Sequence, residues 1–235
     1  SEGTYPFMTG LSAWDFRPNE DHLTGELWET WKVLQKNGEV SYEEDPTNYL
    51  GVGPRNDFDA FREFARFRGT VLDVGVGPQP IPSHFVGQLD NDLEIYGIDP
   101  LSGTETRPFN FVQGYAEFLP FRDNCFDQVL FVTTLDHFVD PVQALREAAR
   151  TTKPDGEIVI WLGEKDSTAP KPKKTNQWYE DLTVPPNAED RFHFQRVTQD
   201  WISRVLEEAN LEIQRKQVTQ VDQWRRNHLL ACGTK

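Results

Sequence analysis

Two periods of apolar residues run along this chain, and together they predict a sheet flanked by helices. Apolar residues three or four positions apart are typical of amphipathic helices, and they occur in residues 22–35, 57–67, 81–89, 141–150 and 198–209. Short apolar or alternating runs are typical of strands, and they occur in residues 70–74, 93–99, 109–112, 125–132, 151–161, 211–213 and 228–232. The pattern fits an α/β fold.

The distribution of these elements predicts one large domain with additions. The chain has 235 residues, of which 37% are hydrophobic, enough for a single substantial core. Residues 1–55 precede the first strand and are predicted to form an N-terminal arm and a cap helix, while residues 56–235 form the main domain. Trp28 and Trp31 in the cap helix either cover a ligand or pack on the core, and Tyr49 is a further candidate to roof a ligand. Residues 163–196, here called the lid segment, are predicted to be a long inserted binding loop.

Charge and composition limit the partners. With 38 acidic and 24 basic residues the net charge is −14, which disfavours binding to the phosphates of nucleic acids. The two cysteines, Cys125 and Cys232, are too few for a zinc framework and favour a reducing, cytoplasmic location. No apolar run approaches the ~18 residues that suggest a membrane span. A small molecule is therefore the expected partner, and the oligomeric state stays open.

A glycine-rich turn directly after the first strand is the strongest candidate for a ligand site. Gly75 and Gly77 allow the backbone to approach a bound group closely, and Asp73 can accept hydrogen bonds from a cationic ligand or from the amides of the loop. A dinucleotide fingerprint requires a third glycine at the position of Pro80, so a nicotinamide cofactor is disfavoured.

The second strand ends on another acid. Asp99, followed by Pro100, lies 22 residues beyond Gly77. In doubly wound sheets a carboxylate near this distance accepts hydrogen bonds from ribose hydroxyls. The alternative is that Asp99 only begins a turn before the proline.

Four segments in this order resemble a known family. The strand with its G-V-G turn, the strand ending at Asp99, the run G-Y-A-E-F-L-P-F at residues 114–121, and the strand ending at Thr133 are similar to class I S-adenosylmethionine-dependent methyltransferases of the type 11 kind. The resemblance implies a Rossmann-like, seven-stranded sheet with an antiparallel seventh strand. It also implies S-adenosylmethionine as cofactor and S-adenosylhomocysteine as product.

The same resemblance implies roles for individual residues. The turn at Asp73, Gly75 and Gly77 would wrap the methionine end of the cofactor, and Thr133 would touch the methionine backbone. Tyr115 stands where the family has an acid that meets adenine, so this contact falls to Ala116, to Glu117 or to the Tyr115 ring. The predicted cofactor-binding residues are Asp73, Gly75, Gly77, Asp99, Pro100, Tyr115, Ala116, Glu117 and Thr133.

Methyl transfer to a hydroxyl requires removal of a proton by a positioned base. His137 and Asp136 lie just past the end of the fourth strand, and His193 in the lid segment is a second candidate base. Alternatively, Asp136 caps a turn and His137 is a surface residue. His22, His84 and His228 have no supporting neighbours in the sequence.

Acidic and imidazole side chains near the fourth strand could also gather a divalent metal ion. No ligand spacing requires one, so no metal is predicted. The residues concerned are Asp136, His137, Glu164 and His193.

The function predicted from the sequence is transfer of a methyl group from S-adenosylmethionine to a small-molecule hydroxyl. Three short strings, G-V-G-P-Q-P-I-P, T-T-L-D-H and R-F-H-F, resemble methyltransferases of surface polysaccharides and other sugars, so a sugar or sugar-like acceptor is expected. Two alternatives remain: methyl transfer to an amine, which needs no base, and a protein that binds S-adenosylmethionine without catalysis.

Overall fold

A computed structural model describes residues 25–44, 56–89, 92–169 and 176–234. Within these residues seven strands form one sheet with the order β3-β2-β1-β4-β5-β7-β6. The strands are β1 Thr70–Val74, β2 Glu94–Asp99, β3 Asn110–Gln113, β4 Phe126–Val132, β5 Thr152–Lys165, β6 Leu211–Gln220 and β7 Arg225–Thr234. The helices are α1 Glu26–Glu44, α2 Asn56–Ala65, α3 Pro141–Thr151, α4 Gln177–Asp181 and α5 Gln199–Glu208.

The topology of the sheet confirms the predicted fold class. β1 pairs in parallel with β2 and β4, and β2–β3 and β4–β5 are also parallel. β7 is antiparallel to both β5 and β6, as the resemblance implied. The chain order reverses between β1 and β4, and in open α/β sheets the crevice at such a reversal is where ligands bind.

The core lies on both faces of the sheet. On one face Leu145 and Trp201, from α3 and α5, pack against strand residues such as Phe131. On the other face Phe61 of α2 packs with strand residues such as Trp161. Because both faces are covered, the central strands are apolar in both directions, which explains their continuous apolar runs.

Three predicted boundaries are wrong. α1 continues to Glu44, beyond the predicted end at residue 35, and a tertiary contact accounts for this, since Asn37 Nδ2 donates to the carbonyl oxygens of Thr183 and Arg191. The helix predicted for residues 81–89 is a single 3-10 turn, Ser83–Phe85, followed by Gly87 with φ +75°. The lid segment begins later than predicted, because β5 runs to Lys165 alongside β7.

Two helices begin at a capping side chain. Asp140 caps α3 by accepting from Gln143 N at 2.9 Å, with Pro141 as the first helical residue. Thr198 caps α5 in the same way, accepting from Trp201 N at 3.1 Å.

Some predictions concern residues that the structure does not describe. Tyr49, His22 and the arm at residues 1–20 lie outside the described residues, and the boundary between residues 55 and 56 stays a prediction. None of the described helices combines the length and the apolar character needed to cross a membrane.

Candidate active site

A cavity of about 490 Å³ opens at the carboxyl ends of β1, β2 and β4. Its size lies within the range of about 300–1,000 Å³ that is usual for small-molecule sites. Gly75 and Gly77 line it after β1, Asp99 lines it at the end of β2, and Thr133 and Thr134 line it after β4. Residues predicted to bind one cofactor therefore surround one space.

The turn after β1 depends on its glycines. Gly75 and Gly77 have φ values of +80° and +78°, a left-handed conformation that side chains disfavour. Gly75 N donates to the Ile98 carbonyl at 2.8 Å, and Gly77 N donates to Asp99 Oδ2 at 2.8 Å. The turn is thereby tied to the end of β2.

Replacing Gly75 with alanine should destabilise the protein and weaken cofactor binding. A Cβ at this position would lie 2.7 Å from Thr134 Cγ2, so crowding adds to the backbone strain. We expect a loss of about 1–2 kcal/mol from strain and roughly 1–3 kcal/mol more from crowding, measured by denaturant unfolding. Gly87→Ala is the matched control, because Gly87 has φ +75° and open space around its Cβ position. Equal losses in the two variants would contradict the crowding.

Asp99 is the best-defined acceptor in the cavity. Its side chain is buried, with Gly77 N donating to Oδ2 and Leu101 N donating to Oδ1, each at 2.8 Å. Burial raises the pKa of Asp99 to about 6, although the two amide hydrogen bonds oppose the shift. Each oxygen keeps a further lone pair, so the carboxylate can still accept from two hydroxyl groups.

An arginine near Asp99 was not predicted. Arg107 Nη2 donates to the Gly77 carbonyl at 2.8 Å, and its guanidinium lies 3.6 Å from the centre of the Phe111 ring. Its positive charge favours the ionised form of Asp99. Arg107 therefore supports both the glycine turn and the carboxylate beside it.

Asp73 forms a buried pair with a histidine. Its Oδ2 lies 2.8 Å from His84 Nε2, and both side chains are buried. The prediction that His84 lacks a supporting neighbour is wrong, because the 3-10 turn returns it to the end of β1. Asp73 Oδ1 is buried and has no hydrogen-bond partner among the described residues. Asp73 does not itself line the cavity, whereas its neighbours Gly75 and His84 do, so its role in cofactor binding stays a prediction.

The segment predicted to meet adenine also lines the cavity, through Tyr115, Ala116 and Glu117. The Glu117 carboxylate has a structural task, since its Oε1 accepts from the amides of Val139 and Asp140 at 3.0 and 3.1 Å. Burial raises the pKa of Glu117. The predicted contact of Tyr115 and Ala116 with adenine stays a prediction.

The end of β4 is held in an uncommon conformation. Thr133 has φ +57°, and such strain in a residue other than glycine is often found at functional sites. Its N–H donates to the Trp161 carbonyl at 2.9 Å, while Thr134 Oγ1 donates to the Val74 carbonyl at 2.9 Å. Thr134, which had no predicted role, fastens β4 to β1 beside the glycine turn.

Pro100, predicted to bind the cofactor, also lines the cavity.

The three predicted catalytic side chains meet at one side of the cavity. Asp136, His137 and His193, here called the acid–imidazole cluster, all line it. The two imidazole ring centres are 4.4 Å apart, and His193 Nε2 lies 4.0 Å from Asp136 Oδ2. His137 Nδ1 donates to the Phe192 carbonyl at 2.9 Å. Asp190, which was not predicted, holds His193 Nδ1 at 2.8 Å.

The two imidazoles have opposite electrostatic environments. Burial, together with the nearby charge of His193, lowers the pKa of His137. Burial also acts to lower the pKa of His193, but the hydrogen bond to Asp190 and the charge of Asp136 outweigh it, so the pKa is raised. The same hydrogen bond holds the pKa of Asp190 far below its usual range, against the effect of its burial. At neutral pH His137 is therefore neutral.

Helix α1 fixes the lid segment over the cluster. Thr30 Oγ1 donates to the Pro186 carbonyl at 2.8 Å, and Asn37 Nδ2 donates to the Arg191 carbonyl at 2.7 Å. Trp31 packs on Phe194 of the lid segment and on the Tyr115 ring, whose centre is 5.1 Å away. Trp31 therefore packs on the core and also lines the cavity, and its role in covering a ligand stays a prediction.

Glu164, which the sequence also offered as a metal ligand, lies apart from the acid–imidazole cluster. Its Oε2 lies 2.8 Å from His228 Nε2 and 3.2 Å from Arg226 Nε. His228 thus has a neighbour that the sequence did not predict. The pair crosses from β5 to β7.

Residues 72–160 match the family model described as "Methyltransferase domain". This stretch begins in β1 and ends in β5. It contains the glycine turn, Asp99, and the cluster residues Asp136 and His137, but not His193. Over this stretch, which is less than half of its length, the chain is similar to class I S-adenosylmethionine-dependent methyltransferases. The family supports S-adenosylmethionine as the cofactor.

Curated relatives match part of this chain over part of their own length. A demethylmenaquinone methyltransferase of Paenarthrobacter aurescens is 44% identical over 137 residues, which cover 50% of this chain and 54% of that protein. Three further relatives are matched over 23%, 39% and 58% of their length. The chain thus spans only part of the curated relatives it matches.

Solved structures extend the likeness to the whole fold. The 1,6-didemethyltoxoflavin-N1-methyltransferase of Burkholderia thailandensis, with S-adenosylhomocysteine bound, has a TM-score of 0.63 at 16% identity and covers 91% of this chain and 92% of its own. The [4+2]-cyclase SpnF has a TM-score of 0.53 at 17% identity and covers 76% of this chain and 80% of its own. Because these proteins are named for different reactions, the chemistry has to be argued from the site.

Proposed function

We propose that this protein transfers a methyl group from S-adenosylmethionine to a hydroxyl of a small molecule, with a sugar or sugar-like compound as acceptor. One observation carries the proposal: Gly75, Gly77 and Asp99 line the same cavity as the acid–imidazole cluster. A cofactor held at the glycine turn and at Asp99 would share that cavity with an acceptor at the cluster. Proximity and alignment of the two reactants supply much of the rate enhancement in such a site.

The chain's own residues fit the cofactor. Asp99 retains lone pairs for the ribose hydroxyls, and the unpaired Asp73 Oδ1 suits the amino group of the methionine end. Gly75 and Gly77 adopt positive φ values and have no side chains, so the cofactor can approach the backbone closely at this turn. S-adenosylmethionine supplies an activated methyl group on a positively charged sulfur. The remaining requirement is activation of the acceptor.

The acid–imidazole cluster is the group that would activate a hydroxyl. Because His137 Nδ1 donates to a backbone carbonyl, the lone pair of the neutral ring lies on Nε2. That atom can accept the hydroxyl proton, and the Asp136 carboxylate can stabilise the charge that results. Asp136 and His193 also offer polar contacts to other hydroxyls, which favours a polyhydroxylated acceptor.

Methyl transfer to nitrogen is the second candidate, favoured by the likeness to an enzyme named as an N1-methyltransferase. An amine acceptor carries its own lone pair, so the cluster would then bind the acceptor and would not deprotonate it. The sugar acceptor rests on the resemblance of three short strings in the sequence and on the polar character of the cluster. We further propose a cytoplasmic location, consistent with two free cysteines.

Release of S-adenosylhomocysteine tests the proposal. The purified protein is incubated with S-adenosylmethionine and with matched acceptor panels, one of sugars and polyols and one of amines. We expect the product to form with a hydroxyl acceptor and the mass of that acceptor to increase by one methyl group. Turnover with amines alone would favour the second candidate. Binding of S-adenosylmethionine without turnover on either panel would favour a protein without transferase activity.

A further inference from the structure

The acid–imidazole cluster has the composition of a metal site. One nitrogen or oxygen atom from each of Asp136, His137 and His193 lies within 4.8 Å of the other two. Ligands about 2.1 Å from one ion can be no more than about 4.2 Å apart. His193 Nε2 and Asp136 Oδ2, at 4.0 Å, already meet this limit. A small inward movement of the side chains would complete the site.

Both imidazoles are oriented as metal ligands usually are. His137 Nδ1 donates to the Phe192 carbonyl, and His193 Nδ1 donates to the Asp190 carboxylate. Metal-bound histidines typically donate their second nitrogen to a carbonyl or a carboxylate, which fixes the ring and leaves the other nitrogen for the ion. Two such partners at one site, both on the lid segment, leave two Nε2 atoms available.

Asp136 has no other partner that explains its position. At 4.0 Å its contact with His193 Nε2 is too long for a hydrogen bond. Its carboxylate accepts no hydrogen bond from any residue that the structure describes, although its side chain is only 15% exposed. By contrast, the backbone carbonyl of Asp136 accepts from Phe194 N at 3.0 Å, so the residue itself is firmly held.

We propose that Asp136, His137 and His193 together bind one divalent transition-metal ion. Imidazole ligands suit ions such as Zn²⁺, Co²⁺, Fe²⁺ and Ni²⁺, whereas Mg²⁺ and Ca²⁺ prefer sites made of oxygen. This departs from the expectation of no metal that the sequence alone supported.

Three protein ligands leave a coordination position free towards the cavity. This consequence rests on the proposed function: an acceptor hydroxyl that takes the position becomes more acidic. The ion would occupy His137 Nε2, so metal and imidazole are alternative ways for the same cluster to activate the acceptor.

Titration with Co²⁺ tests the site without any methyl acceptor. Metal-free protein without an affinity tag is titrated while visible absorption and heat are recorded. We expect one Co²⁺ per chain, displaced by Zn²⁺ but not by Mg²⁺. Loss of a residue that orients a metal ligand usually costs about 10- to 100-fold in metal affinity, and we expect this loss for Asp190→Asn. We expect a loss of at least roughly 100-fold for His193→Ala and Asp136→Asn, which remove a ligand.

Glu164→Gln is the matched control, because Glu164 is an acid that the sequence also offered as a ligand but that pairs with His228. It should bind Co²⁺ as the unmodified protein does, and circular dichroism of every variant verifies folding. The proposal is overturned if Co²⁺ fails to bind at millimolar concentration, or if binding is equal in all variants. Binding of S-adenosylhomocysteine, measured in parallel, separates such a failure from a failure of the proposed function.

Discussion

Replacing His137 with asparagine is expected to lower kcat for a hydroxyl acceptor by roughly 100- to 10,000-fold, the usual contribution of a positioned acid or base. The asparagine amide can still donate to the Phe192 carbonyl, as His137 Nδ1 does at 2.9 Å. It has no atom at the position of Nε2, which accepts the proton or holds the proposed ion. The rate of S-adenosylhomocysteine release at saturating acceptor measures the effect.

Affinity for S-adenosylhomocysteine is the internal control for this variant. His137 lies on the acceptor side of the proposed site, so the dissociation constant should change by less than about threefold, well under 1 kcal/mol. A variant that retains nearly full kcat would contradict a role for the cluster in activating a hydroxyl. That outcome would favour transfer to an amine, which requires no base.

Affinity for S-adenosylhomocysteine is expected to fall as the pH drops from 7 to 5, through the protonation of Asp99. Burial raises the pKa of Asp99 to about 6, so its carboxylate is ionised at pH 7 and mostly protonated at pH 5. A hydrogen bond to a charged acceptor stabilises a complex by about 1 kcal/mol more than one to a neutral acceptor. Affinity for S-adenosylhomocysteine should therefore fall roughly five- to tenfold. Calorimetry across this range measures the change.

The same shift has the opposite sign for stability. The pKa of Asp99 is about 6 in the folded protein and near ~3.9 in an unfolded chain, so the folded state binds more protons between these values. The contribution of Asp99 to the free energy of unfolding therefore declines as the pH rises from about 4 to about 6.

Asp99→Asn should remove both pH dependences. It should also weaken binding of S-adenosylhomocysteine by roughly 10- to 100-fold at pH 7, because its amide cannot accept from both Gly77 N and Leu101 N. An affinity that is unchanged in this variant, or that rises at low pH, would contradict the assignment of Asp99.

The features that could be predicted from the sequence are local ones. β1 is a continuous apolar run ended by Gly75 and Gly77, and both glycines have the positive φ that such turns require. Asp99 was found because the spacing between successive strand ends is nearly constant in this kind of sheet. The helix caps at Asp140 and Thr198 can also be predicted locally, because each cap bonds to an amide only three positions away.

The features that were missed depend on residues far apart in the sequence. The bond between Asn37 and the Arg191 carbonyl joins positions 154 residues apart, and it both lengthens α1 and fixes the lid segment. The sequence also contained no signal that His193 would lie beside His137. The same holds for the pairing of Asp73 with His84, because a turn predicted as a helix determines where His84 lies.

A crystal structure of the complex with S-adenosylhomocysteine tests the central claim most directly. We predict that the ribose hydroxyls lie about 2.5–3.0 Å from the Asp99 carboxylate oxygens, a normal hydrogen-bond distance. The amino-acid end should lie at the turn of Gly75 and Gly77, with the sulfur facing the acid–imidazole cluster across the cavity. A ligand bound outside this cavity, or with its ribose away from Asp99, would contradict the account.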